Sequence, residues 1–202
     1  MVELDKKKEL ILQGAIKRFC HFGINKTSMA EIADDLSVSK PALYYYFPDK
    51  QSLIVAVIKN VSSAYLDRVE KTFLEFTDRE KAFMSLIDLR RIFFEKYFML
   101  HIEEEYSDAN LKDRGFVELI HKIMDREKGI IASNFQRGIA NGELGDIEPV
   151  KTAELFLDTL KGLRACMRSD KMIFPDADTF ELTFCKMKDV ARIFLNGIKR
   201  HS

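Results

Sequence analysis

The sequence predicts an all-α chain, and three observations carry that prediction. Apolar residues recur at helical spacing through almost every segment, with no hairpin signal and no internal repeat. Only four prolines and nine glycines interrupt 202 residues, and they fall mostly between the periodic stretches. Ser or Asp stands ahead of several of those stretches, where a side-chain oxygen can take a backbone N–H that has no partner inside the helix.

A first helix over residues 6–22 puts Ile11, Ala15 and Phe19 on one face with Leu12, Ile16 and Cys20 beside them, and Gly23 ends it. Ser28 and Glu31 then have capping-box spacing, in which the serine takes an orphan N–H and the glutamate reaches back to the cap. Met29, Ile32, Ala33 and Leu36 follow at helical spacing before residues 36–39 break the pattern. Ser39 suits the N-cap of the next helix, and Pro41 is tolerated in a first turn, where N–H groups lack intrahelical partners anyway. Leu43 and Phe47 give that helix one apolar stripe. Two short helices joined by a tight turn make a helix-turn-helix, whose second helix enters the DNA major groove.

In residues 11–57 the chain resembles the TetR-type transcriptional regulators of bacteria. The matching positions are Ala15, Phe19, Gly23, Thr27, Ser28, Ile32, Ala33, Leu43, Tyr44, Phe47, Lys50 and Leu53, in order and at the family's spacing. The family's turn commonly carries Gly where this chain has Ser37. A left-handed backbone there costs a serine roughly 1 kcal/mol or more. The resemblance implies an N-terminal three-helix helix-turn-helix DNA-binding domain over residues 1–48, followed by a C-terminal helical bundle for ligand binding and dimerisation over residues 49–202.

Tyr44, Tyr45 and Tyr46 occupy consecutive helical positions about 100° apart, so they cannot all face the core that Leu43 and Phe47 occupy. At least two phenols must point outward, each offering a hydroxyl to phosphate and a ring to base edges. The alternative is that they pack on neighbouring helices. The resemblance implies phosphate contacts from Tyr44 and Tyr46 and base contacts from Lys40, Ala42 and Tyr45; Ser39 and Pro41 share that first turn. Lys50 opens the following helix and is placed to meet a phosphate beside its N-terminal amides. Thr27 and Ser28 either do likewise or act as caps alone. Lys6, Lys7 and Lys8 form either an arm to the DNA backbone or a solvated helix end.

Pro48 and Asp49 stop the recognition helix and cap a long one to about residue 76. Beyond it, residues 78–102 read as an aromatic amphipathic helix, 103–110 as an acidic break, and 116–141 as a long helix after Gly115. Pro149 starts a helix to about residue 168, and the Asp178/Glu181 pattern caps a last one ending near residue 199. Phe83, Phe94 and Phe98 share one face of the aromatic helix. With Tyr97, His101, His121 and Met124 they suggest either solid core or the wall of a pocket for a small hydrophobic ligand. In the last two helices Phe156, Leu160, Leu163 and Met167 face a stripe of Phe184, Met187, Ala191, Phe194, Leu195 and Ile198. These stripes either bury within one subunit or build a two-fold dimer, and the resemblance favours the dimer, which doubles the reach of one short recognition helix on a palindromic operator.

The composition narrows the function classes. Lysines and arginines total 32 and acidic residues also 32, so a net charge of zero supplies no general basic field. Residues 1–50 hold eight basic and seven acidic side chains, so any binding to double-stranded DNA must come from individually placed contacts. Cys20, Cys166 and Cys185 lack metal-ligand spacing, and Cys20 and Cys185 sit on apolar patterns that suggest inert buried thiols in a reducing cytoplasm. No run approaches a membrane span, and no signal-peptide core follows the charged start. Glu118 and His121 have the Glu-x-x-His spacing of di-iron bundles, but the second copy that such a site needs is missing. No nucleophile, Walker or dinucleotide motif is present, so neither an enzyme nor a cofactor is expected. The expectation is a cytoplasmic, homodimeric DNA-binding regulator, a repressor released by ligand; an activator or a regulator without ligand stands second, a helical-bundle enzyme last.

Overall fold

The computed structural model describes residues 2–97, 100, 114–167 and 175–200. Among them, eight helices follow in order: α1 (Val2–Phe22), α2 (Met29–Asp35), α3 (Lys40–Tyr46), α4 (Lys50–Glu75), α5 (Arg79–Tyr97), α6 (Arg114–Ala140), α7 (Pro149–Ala165) and α8 (Ala177–Gly197). The expected all-α class holds, and the β contact between Leu144 and Lys199 is an isolated bridge.

Local chemistry accounts for most helix ends. Gly23, at φ 83°, closes α1 with its N–H on the Phe19 carbonyl. Ser37 has φ 51°, so the turn is left-handed despite lacking glycine. Its N–H donates to Asp34 and that of Val38 donates to Ala33, the paired bonds of a Schellman close. Asp49 caps α4 by accepting from the Ser52 N–H at 2.6 Å. The last helix departs from expectation: Asp176, not Asp178, is its cap, accepting from the Thr179 N–H at 2.8 Å. A carboxylate two residues further on lies already inside the first turn, where it serves the helix dipole instead.

Packing divides the chain into two compact units, residues 1–64 with 94–121 and residues 65–93 with 122–202. The first unit is built on Ile11, Ala15, Phe19, Ile32, Ala33, Leu43, Leu53 and Val57, all buried. In it α1 packs on α2 and α2 on α3. Leu36 lies so near α1 that a Cβ on Gly14 would stand 2.7 Å from its methyl groups. The second unit centres on aromatic rings: Phe83 meets Phe73 at 5.1 Å, Phe135 at 5.4 Å and Phe156 at 5.1 Å between centroids. A polar tie crosses the same unit, where Tyr65 on α4 and Arg90 on α5 both donate to Glu127 on α6. Burial pushes the Tyr65 phenol well above its usual range, so it stays a donor.

Candidate nucleic-acid interface

The recognition helix α3 is set by Ser39, whose Oγ accepts from the Ala42 N–H at 3.3 Å, and by Leu43 and Phe47, both buried. That anchoring turns Tyr45, 73% exposed, and Tyr44, 47% exposed, toward solvent. Tyr46 is half-buried, edge-on to Tyr45 at 5.1 Å. Lys40 and Pro41 are exposed and Ala42 partly so. The hydroxyl proton of Ser39 has no acceptor among the described residues, so it can still be given to a phosphate. Tyr44 and Lys50 line one concave surface with Asn25, Lys26 and the first turn of α2.

Two expected contacts need correction. Thr27 is buried, 2% exposed, and its hydroxyl donates to the Gly23 carbonyl at 2.9 Å. Ser28 keeps the capping box: Oγ donates to Glu31 Oε2 at 2.8 Å and accepts from the Glu31 N–H at 3.3 Å. A phosphate oxygen needs a donor, and each hydroxyl has only one proton to give. Both protons are committed inside the head: Ser28 caps α2, and Thr27 ties the end of α1 to the start of α2. Nor do Lys6, Lys7 and Lys8 form a loose arm, since they lie on α1, exposed, with Lys8 Nζ 5.9 Å from the Phe47 ring centroid.

Arg18, missed by sequence reasoning, ties α1 to α2. Its guanidinium reaches Glu31 Oε1 at 2.9 Å and Asp35 Oδ2 at 2.6 Å, with the Phe22 ring 4.8 Å away. The Ser28 backbone N–H, then its hydroxyl and then Arg18, hold the Glu31 carboxyl below the usual carboxylate range. The Asp35 hydrogen bond raises Arg18 in turn. No local spacing announces this cluster, because Arg18 and Asp35 are 17 residues apart and meet only once α1 packs on α2.

The expected ligand-site residues scatter. Phe83 belongs to the ring cluster and is fully buried, as the solid-core alternative has it. Phe94 and Tyr97 are half-buried, His121 and Met124 are exposed, and Phe98 and His101 lie outside the described residues. Phe83 and Met124 belong to the second unit, the other described members to the first.

Most of the expected dimer stripe is taken up inside one chain. Phe156, Leu160, Met167, Phe184, Met187, Ala191 and Leu195 are buried within a single chain, where they form its own core; Leu163, Phe194 and Ile198 are half-buried. A side chain without free surface has nothing to offer a partner. The outward faces carry other residues: Leu155, 61% exposed, and Gly162 on α7, with Leu182, 55% exposed, and Ile193, 72% exposed, on α8. Cys185 is exposed, against expectation, as is Cys166. Cys20 is half-buried and its thiol is pushed up to about 11 by burial, which keeps it protonated and inert. Among the described residues no group of His, Cys, Asp and Glu is placed to hold a metal, and no helix is long and apolar enough to cross a membrane.

Comparison with known proteins agrees with this fold. The family described as "Bacterial regulatory proteins, tetR family" matches residues 11–57. The HTH-type transcriptional regulator RutR of Escherichia coli (strain K12) is 40% identical over 60 residues, which are 30% of this chain and 28% of that protein. The chain thus spans less than a third of this curated relative. A transcriptional regulator from Cytophaga hutchinsonii, known as a crystal structure, is 32% identical with a TM-score of 0.83, over 96% of this chain and 99% of that one. AibR, solved in complex with isovaleryl coenzyme A and operator DNA, shares the fold at 17% identity with a TM-score of 0.60, over 91% of this chain and 96% of its own.

Proposed function

The chain belongs to the tetR family of bacterial regulatory proteins, and from that premise we propose that it is a sequence-specific DNA-binding transcriptional regulator. In this reading it is a cytoplasmic homodimer that represses at a palindromic operator and is released by a small hydrophobic ligand. The observation that carries the DNA half is the exposure of Tyr45, a large ring turned to water on a helix whose other face is fully spent on Leu43 and Phe47. Lys40, Ala42 and Tyr45 would face base edges; Ser39, Tyr44, Tyr46 and Lys50 would hold phosphates, with Pro41 shaping the first turn between them.

The outward faces of α7 and α8 support the dimer, since Leu155, Leu182 and Ile193 are apolar and uncovered in one chain. To enter successive major grooves of a palindrome, the two recognition helices of such a dimer must sit about 34–36 Å apart, one turn of DNA. Ligand release requires tighter binding to the released conformation than to the DNA-bound one. Phe94 and Tyr97, half-buried, are the proposed ligand contacts, and AibR supports by fold the principle of one chain meeting both ligand and operator. The packing of Phe83 favours a second reading for the bundle, a regulator without ligand whose second unit only dimerises.

Selection of bound DNA from a random pool, followed by release scored against a panel of hydrophobic compounds, tests both halves. A palindrome that one compound class displaces supports the first reading. A palindrome that no compound displaces supports the second, and no enriched DNA contradicts both.

A further inference from the structure

We infer that Arg18 is a positioning residue for DNA binding, which acts by masking the carboxylates of Glu31 and Asp35 on α2. The inference rests on the DNA-binding reading above. Glu31 lines the same concave surface as Lys26, Tyr44 and Lys50, where phosphate is expected. An ionised carboxylate there repels a polyanion and works against Lys50. The head has little basic surplus to override that repulsion, with eight basic and seven acidic residues in its first fifty. Arg18 resolves the conflict with two separate nitrogens, one on each carboxylate, at 2.9 Å and 2.6 Å. Glu31 and Asp35, one helical turn apart on α2, present both acids to one planar fork, and the Phe22 ring lies against that fork at 4.8 Å. The Arg18 side chain is only 14% exposed, so it does not itself reach for DNA; it acts through the helix that it neutralises.

Glu31 has a second duty that makes the charge separable from the fold. Its other oxygen caps α2 through the Ser28 N–H at 2.8 Å. Glutamine at the same position keeps a capping box while removing the charge. Glu31→Gln with Asp35→Asn therefore unmasks Arg18 without uncapping α2. Arg18→Leu does the reverse and leaves two bare carboxylates.

The test is an anisotropy titration of the full chain and its variants on DNA selected by the parent, with melting temperatures recorded in parallel. Arg18→Leu is expected to bind about tenfold more weakly, the scale of charge repulsion near a protein surface. Adding Glu31→Gln and Asp35→Asn to it restores affinity to within about threefold of the parent. The same two neutral substitutions with Arg18 intact bind more tightly than the parent, whereas a purely structural clamp would weaken when its partners are lost. Should Arg18→Leu not fold, Arg18→Lys takes its place: lysine supplies a single point charge, and Glu31→Gln should rescue its partial loss. The inference is overturned if Arg18→Leu binds like the parent, or if neutralising both carboxylates leaves the loss in place. If the parent enriches no DNA at all, the DNA-binding reading falls first and this inference with it.

Discussion

Thr27 Oγ1 donates to the carbonyl of Gly23 at 2.9 Å, joining the end of α1 to the start of α2 through a side chain that is 2% exposed. The bond makes Thr27 part of the head's internal frame. Thr27→Val keeps the shape, removes the donor and leaves a buried carbonyl short of a partner, at a cost of about 1–3 kcal/mol. Thermal unfolding should show the loss, while DNA affinity well below the transition stays near that of the parent. A variant that melts normally yet binds DNA poorly would return Thr27 to the interface.

Ser37 carries its left-handed φ of 51° without the freedom of glycine. Ser37→Gly should relieve about 1 kcal/mol, raising the melting temperature by roughly 2–4 °C. The bonds from Ser37 and Val38 to Asp34 and Ala33 are backbone bonds and survive the change. An unchanged or lower melting temperature would mean that glycine's extra freedom in the unfolded chain outweighs the relief.

What the sequence made legible was local. Ser28 with Glu31, Ser39 ahead of Pro41, and Gly23 after α1 each announce a cap within a few residues, and each forms. What it hid was tertiary. Periodicity shows that Phe156, Leu160 and Met187 need cover, but not whether the cover comes from the same chain or from a partner, and the structure supplies it from within. The outward Ile193 and Leu155 sit on the opposite faces and carry no signal of their own, because isolated exposed apolar residues are common. Arg18 reads as one basic residue on a solvated face until α2 is packed beside it.

Acid should loosen the head through Glu31. Its folded carboxyl lies below the unfolded value of about 4.3, so the ionised form favours the fold. The contribution is complete above that unfolded value and is lost as pH falls through the lower folded one. Melting measured from about pH 6 to pH 3 should therefore fall more steeply for the parent than for Glu31→Gln, given the carboxylate range. Parallel acid limbs for the two would show that the capping and Arg18 bonds contribute nothing that depends on charge.

The proposed dimer rests on α7 and α8 faces that the single chain leaves bare. Ile193→Asp, at a position 72% exposed, should cost the folded chain little and convert dimer to monomer by sedimentation. Affinity for a palindrome should fall with it, while helical circular dichroism is retained. A variant that sediments as the parent does would move the interface off this face.

The reading of α3 and the start of α4 is tested most directly by titrating the selected palindrome with the parent, Tyr45→Ala and Lys50→Ala across a range of salt concentrations. Tyr45→Ala should bind more weakly and discriminate less between the palindrome and altered half-sites, with its salt dependence unchanged. Lys50→Ala should weaken binding to every sequence alike and lower the salt slope by about 0.9 for each phosphate left without its lysine. Two variants that match the parent in affinity, sequence preference and salt slope would contradict the assignment of this surface to DNA.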